Sequence, residues 1–157
     1  MEQLTYLSWN DIDTYIGLLT EKIKGSGFVP DYLVGITVGG LAPLALLAKK
    51  LRIRDILTIS AHSHHGHIQG KLEITNLPNV DIRGKKILLI DEISDTGETL
   101  KKVSDIFKND YGVGELKTAT IAINSARCRF IPDFWVYEDD RWIVFPWENE
   151  SKKKMKE

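Results

Sequence analysis

The stretch that most constrains this chain is Ile87-Leu88-Leu89-Ile90, four consecutive large aliphatic residues that stop at two adjacent carboxylates, Asp91 and Glu92. An apolar run without alternation is the pattern of a strand buried on both faces, as in a parallel sheet covered by helices. Helical spacing resumes soon afterwards at Leu100, Val103, Ile106 and Phe107. A buried strand that ends in charge and then turns into a helix marks the place where open α/β sheets put their ligands.

The rest of the chain repeats that alternation. Ser8-Trp9-Asn10-Asp11 has the form of a capping box, with Asp in the place usual for Glu or Gln. Behind it Ile12, Tyr15, Ile16, Leu19 and Ile23 recur at helical spacing until Gly25 and Gly27 stop the run. Tyr32 to Ile36 predicts a strand, Val38-Gly39-Gly40 a turn, and Leu41 to Leu51 a second helix. Ile56 to Ser60 and Leu116 to Ile123 predict further strands, and Lys71 to Thr75 one returning from the polar stretch His62 to Gly70. Together they predict an α/β fold with a mainly parallel, doubly wound sheet flanked by helices. After about Pro132 two aromatic pieces, Phe134 to Tyr137 and Trp142 to Phe145, are expected to form a small appendage on that sheet. Residues 1–150 are thus expected to form one domain with a C-terminal hood from about 132 to 148, and 151–157 a disordered tail.

With 157 residues, 43% of them hydrophobic, the chain can bury a core without staples. Its net charge of −1 supplies no field for nucleic acid or an anionic membrane. It carries neither the ~18-residue apolar run of a membrane span nor a basic-then-apolar leader pattern. A lone cysteine, Cys128, cannot form an internal disulfide, so a reducing, cytoplasmic setting is expected.

The chemistry concentrates between Asp91 and Thr99. Asp95-Thr96-Gly97-Glu98-Thr99 opens a helix with hydroxyls and backbone N–H groups converging on one point, an anion site reinforced by the helix dipole. Asp91 and Glu92 would repel that anion and suit instead sugar hydroxyls, or a divalent cation, beside it. Rival motifs fail on spacing. The chain has no Gly-x-x-x-x-Gly-Lys loop, and Gly35-x-x-x-Gly39-Gly40 is not the dinucleotide pattern. An aspartyl-phosphate enzyme usually places its second Asp two residues after the first, whereas Asp95 follows Asp91 by four.

The segment Asp91-Glu92-Ile93-Ser94-Asp95-Thr96-Gly97-Glu98-Thr99 resembles the signature with which type I phosphoribosyltransferases bind phosphoribosyl pyrophosphate (PRPP). Tyr6-Leu7-Ser8-Trp9, Gly39-Gly40-Leu41-Ala42-Pro43 and Trp142 through Glu148 are similar to the short 6-oxopurine branch, the bacterial xanthine-guanine and archaeal hypoxanthine-guanine enzymes. The resemblance covers most of the chain, in order and rough spacing. It implies the type I phosphoribosyltransferase fold and a Mg²⁺-dependent transfer. A purine base would join the ribose of PRPP, yielding a purine nucleoside 5′-monophosphate and pyrophosphate. It also implies a homodimer or higher homo-oligomer.

Roles follow from the same resemblance, residue by residue. Asp91 and Glu92 would hold the ribose hydroxyls, with Glu92 the better candidate for Mg²⁺. Asp95 would lie near N7 of the base and carry its proton, while Asp95, Thr96, Gly97, Glu98 and Thr99 would wrap the 5′-phosphate. Thr37, Val38, Gly39 and Gly40 correspond to the pyrophosphate loop, although the family usually has Arg or Lys in place of Val38. Glu98 departs from a small or basic residue. Trp142 and Ile143 match the base-reading strand, and Glu148 would assist the pyrophosphate–Mg²⁺ end. His62, Ser63, His64 and His65 fall in the mobile lid; with His67 they also form a tract of metal-binding type.

One departure bears on the base. The 6-oxopurine branch has a Lys just after the strand that here ends at Ile123, where this chain has Asn124-Ser125-Ala126-Arg127. A Lys only donates and reads O6, whereas the oxygen of Asn124 is an acceptor suited to the amino group of adenine. An unmatched polar edge costs roughly 1–3 kcal/mol. The residues therefore predict an adenine-preferring offshoot. A 6-oxopurine is the alternative, should Arg127 or Arg129 fold in to replace the Lys. Two further readings share the signature: a PRPP-binding regulator without catalysis, and an enzyme for a non-purine base.

Overall fold

A computed structural model describes residues 3–63 and 71–148. In chain order its elements are β1 (Leu4–Tyr6), α1 (Trp9–Gly25), β2 (Tyr32–Thr37), α2 (Leu41–Leu51), β3 (Ile56–Ser63) and β4 (Leu72–Thr75). They continue with β5 (Lys86–Ser94), α3 (Glu98–Asn109), β6 (Glu115–Asn124), β7 (Tyr137–Asp139), β8 (Trp142–Val144) and a 3₁₀ turn, Pro146–Glu148.

The main sheet has six strands in the order β4-β3-β2-β5-β6-β7. Neighbours run parallel except β3 and β4, which are antiparallel. β5 lies inside the sheet, between β2 and β6, and its side chains alternate between two cores as the period of a strand requires. Leu88 and Ile90 pack with Ile12, Ile16 and Leu19 of α1 and Leu44 and Leu47 of α2. Ile87 and Leu89 pack with Leu100, Val103 and Phe107 of α3. Ile87, Leu88, Leu89 and Ile90 are fully buried, each contributing about 1.5–3 kcal/mol by transfer from water.

The Asp at the third position of α1 closes its capping box as a longer acid would. Ser8 Oγ accepts from the Asp11 amide at 3.2 Å, and the Asp11 carboxylate accepts from the Ser8 amide at 2.7 Å. β3 continues to Ser63, beyond the predicted Ser60, because the returning strand β4 pairs with its extension. β5 likewise runs on through Asp91 and Glu92 to Ser94, where the periodic signal stops at Ile90.

The expected hood is divided between two sheets. β7 joins the edge of the main sheet beside β6. β8 pairs instead, in parallel, with β1, a strand too short to be predicted from its sequence. Asp139 ties the pieces together. Its carboxylate accepts from Thr5 Oγ1 at 2.8 Å, the Tyr137 hydroxyl at 2.9 Å, and Arg141 Nε and Nη2 at 2.9 and 2.8 Å. These donors, Arg141 first, hold the carboxyl well below the ordinary Asp value of 3.8. A depressed carboxyl stabilises the fold above its unfolded value and loses that contribution as pH falls below it. Asp139→Asn should therefore destabilise the protein by ~1–3 kcal/mol at neutral pH. In thermal melts its Tm should converge on that of the wild type as pH drops below 3.8.

Candidate active site

The carboxyl ends of β2, β5 and β6 meet at one edge of the sheet, and the sequence-predicted site residues gather there. β5 delivers Asp91 and Glu92 half-buried at this edge. Asp91 Oδ1 accepts from the Glu92 amide at 2.8 Å. Burial, followed by repulsion from the adjacent Glu92, pushes the Asp91 carboxyl from 3.8 up to about 8. Glu92 receives the indole N–H of Trp147 at 2.7 Å and lies against the backbone of Gly39. A Cβ added to Gly39 would stand 2.5 Å from the Glu92 carboxyl carbon. The acid is thus gripped between the β2–α2 turn and the C-terminal turn.

The next segment turns tightly into α3, where an anion site is expected from the sequence. Gly97 caps α3 with φ +89°, a left-handed conformation, and a Cβ there would lie 2.6 Å from that of Phe130. Only glycine meets both demands at low cost. The turn is pinned on both sides: Arg129 N donates to Thr96 O at 2.9 Å, and Glu98 N donates to Thr96 Oγ1 at 3.3 Å. Glu98 is exposed, so its backbone rather than its carboxylate belongs to the turn.

Thr37 to Gly40 make the neighbouring turn, with a cis peptide bond between Thr37 and Val38. Thr37 Oγ1 and Ser60 Oγ share a hydrogen bond of 2.9 Å, and Gly40 N donates to Ile36 O at 2.8 Å. The Val38 side chain is 72% exposed. An apolar group therefore stands in solvent at the position where a cation was expected by resemblance.

Between the ends of β5 and β6 and the strand β8 lies a cleft of about 110 Å³ lined by, among others, Glu92, Asp95, Asn124, Arg127, Trp142 and Ile143. It is small against the roughly 300–1,000 Å³ of drug-sized ligand pockets and suits a single ring system. Arg141, Phe145 and Glu148 also reach it. Glu148 Oε2 accepts from the Phe145 amide at 3.1 Å, so this acid shapes the C-terminal turn beside the cleft.

Two of the expected positions are engaged within the fold. Asn124 does line the cleft, but Oδ1 already accepts from the amides of Ala126 at 3.0 Å and Arg127 at 2.9 Å. Two N–H neighbours fix which end of the carboxamide is oxygen, and they occupy the acceptor on which the adenine reading rested. His62 and Ser63, assigned to a lid, belong to β3, where they pair with Glu73 and Leu72. His64, His65 and His67 lie outside the described residues. Among the described residues no group of three or more His, Cys, Asp or Glu is arranged to hold a metal ion. Sequence reading gave no role to Trp147, whose indole reaches a residue 55 positions away. It named Arg127 only as a condition. In the structure Arg127 Nη2 donates to Asp95 Oδ1 at 2.7 Å inside the cleft.

Residues 5–154 match the model of the phosphoribosyl transferase domain. The chain is 30% identical over 152 residues to a xanthine-guanine phosphoribosyltransferase of Cereibacter sphaeroides, covering 91% of this chain and 86% of that one. Its structure superposes on a purine phosphoribosyltransferase from Pyrococcus horikoshii with a TM-score of 0.82, at 32% identity over 94% of each chain. A xanthine-guanine-hypoxanthine phosphoribosyltransferase of Helicobacter pylori shares the fold, with a TM-score of 0.85 at 23% identity, over 99% of this chain and 100% of that one.

Gly97→Ala forces a left-handed alanine against Phe130. It should cost about 1–3 kcal/mol in denaturant melts and weaken phosphate-dependent nucleotide binding measured by calorimetry. Asp91→Asn should do the reverse to stability. A carboxyl raised to about 8 costs the fold progressively more as pH climbs from 3.8. The Asn variant should therefore melt above the wild type at pH 7 and level with it near pH 4, in the absence of nucleotide.

Proposed function

This chain belongs to the type I purine phosphoribosyltransferases, and we propose that the base it takes is a 6-oxopurine (hypoxanthine, guanine or xanthine) rather than adenine. The observation that carries this reading is the engaged oxygen of Asn124. With that acceptor held by two backbone amides, Asn124 has only its NH₂ to offer the cleft. The cationic side chains there, Arg127 and Arg141, are donors throughout. Beside the Asp95 carboxylate, these donors match a carbonyl at C6 and leave an amino group facing other hydrogens. The xanthine-guanine relatives agree by name.

The reaction forms a bond from N9 of the base to C1′ of PRPP and breaks the bond from C1′ to pyrophosphate, which leaves with the electron pair. The proton on N7 passes to Asp95. Positive charge develops on the sugar at C1′, as in glycoside cleavage, so the carboxylates at the end of β5 stabilise the reacting state as well as holding the ribose hydroxyls. The turn from Asp95 to Thr99 receives the 5′-phosphate on backbone N–H groups and the helix dipole. Thr37 to Gly40 receive the pyrophosphate through backbone alone, since Val38 brings no charge. Trp142 stacks on the purine over Ile143.

Asp91 and Glu92 are hard oxygen donors without a third ligand of the protein's own among the described residues. That set fits Mg²⁺, which commonly binds one or two carboxylates and completes its shell with water and substrate phosphates. When bound, the ion neutralises the leaving pyrophosphate.

A spectrophotometric assay with PRPP and each of hypoxanthine, guanine, xanthine and adenine tests the base. At least one 6-oxopurine should be used with a kcat/KM on the order of tenfold or more above that of adenine. Faster turnover of adenine would overturn the proposal.

A further inference from the structure

Asp95 and Arg127 come from different strands' ends, the turn after β5 and the loop after β6, yet they meet as an ion pair of 2.7 Å within one cleft. About half of the Arg127 side chain is exposed, 48%, and Asp95 is likewise accessible at 38%. An exposed pair of this kind contributes little to stability. The loop that carries Arg127 is nonetheless built with care. Asn124 Oδ1 accepts from the Ala126 and Arg127 amides, and the Cys128 amide donates to Asn124 O at 3.0 Å. The Arg129 amide ties the same loop to Thr96 of the phosphate turn at 2.9 Å. Asn124 therefore serves as the clamp that presents residue 127, rather than as a reader of the base.

We infer that Asp95 and Arg127 read the N7–C6 edge of the base together, with Arg127 as the specificity-determining donor to O6. This rests on the 6-oxopurine reading above and deepens it. The ion pair places an acceptor and a donor side by side. The corresponding edge of a 6-oxopurine carries a donor, N7–H, beside an acceptor, O6, so the two match in order. Adenine presents N7–H beside an NH₂, and its second donor meets the guanidinium. A guanidinium is also the side chain best suited to a guanine O6, because its planar fork retains donors after one is spent. The other arginines do not fit this role. Arg141 gives two parallel bonds to Asp139 at 2.9 and 2.8 Å, and Arg129 is not among the residues that line the cleft. No Lys stands between Lys117 and Lys152 to do the work instead.

The test pairs a protein change with a substrate change, so that the contact itself is isolated. Wild type, Arg127→Ala and Arg127→Lys are assayed at saturating PRPP with hypoxanthine, with purine lacking any 6-substituent, and with adenine. Arg127→Ala should lower the ratio of kcat/KM for hypoxanthine to that for unsubstituted purine by on the order of tenfold or more. Arg127→Lys, which keeps a donor, should retain the preference for hypoxanthine over adenine. Loss of a merely structural contact would slow hypoxanthine and unsubstituted purine equally. That equal loss, or an unchanged ratio in a protein that uses hypoxanthine, overturns the role of Arg127 and leaves the 6-oxopurine reading intact. Failure of wild type with every 6-oxopurine overturns both. If the Ala variant turns over no base, the same ratio is read from binding, by calorimetry. Inosine monophosphate should then lose on the order of tenfold more affinity than the 6-unsubstituted purine nucleotide, and equal losses overturn the inference.

Discussion

Two carboxylates at successive positions, at the end of a strand whose preceding residues have no contact with water, repel each other and resist desolvation. Everything at the ligand edge of this protein is arranged around that cost. The sheet buries Ile87 to Ile90 on both faces and so fixes where Asp91 and Glu92 emerge. The Glu92 amide satisfies Asp91, and the Trp147 indole satisfies Glu92. Gly39 has no side chain because the Glu92 carboxyl group fills that space. In the function proposed above, a polyhydroxylated, cation-bound substrate would relieve that cost, and a folded state that was comfortable without ligand would gain less from binding one.

Much of this arrangement is legible in the sequence, and for identifiable reasons. The unbroken apolar run of β5 and the helical spacing of α1, α2 and α3 are signals of burial, which depends on composition alone. The turn from Asp95 to Thr99 is legible because glycine and hydroxyl residues at a helix start have few other uses. β1 is not legible: three residues carry no period, and its partner lies at the other end of the chain. The division of the aromatic segment between two sheets is equally hidden, since Phe134 to Tyr137 and Trp142 to Phe145 have similar composition while the strands that follow from them meet different edges.

Asn124 shows most clearly where reading residue types runs out. An amide side chain holds both an acceptor and donors, and composition cannot say which end faces a ligand. Here the choice is made by the backbone of Ala126 and Arg127, whose amides claim the oxygen. The donor inventory of the cleft is thereby inverted relative to what Asn in place of Lys suggests. Val38 makes a milder version of the same point: its side chain stands in solvent, so the missing cation changes the charge of the loop and leaves its backbone geometry to act.

The clasp between β1 and β8 has a consequence for biosynthesis. Thr5 bonds to Asp139 across 134 residues, and Leu4 lies opposite Trp142. The strand beside the cleft therefore gains its partner in that small sheet from a segment at the far end of the domain. Closing so long a loop is entropically slow and comes late. A nascent chain that had already folded β2 through β6 would possess the turn from Asp95 to Thr99 without the aromatic wall near it. The cleft acquires its shape only after β8 has emerged and found β1.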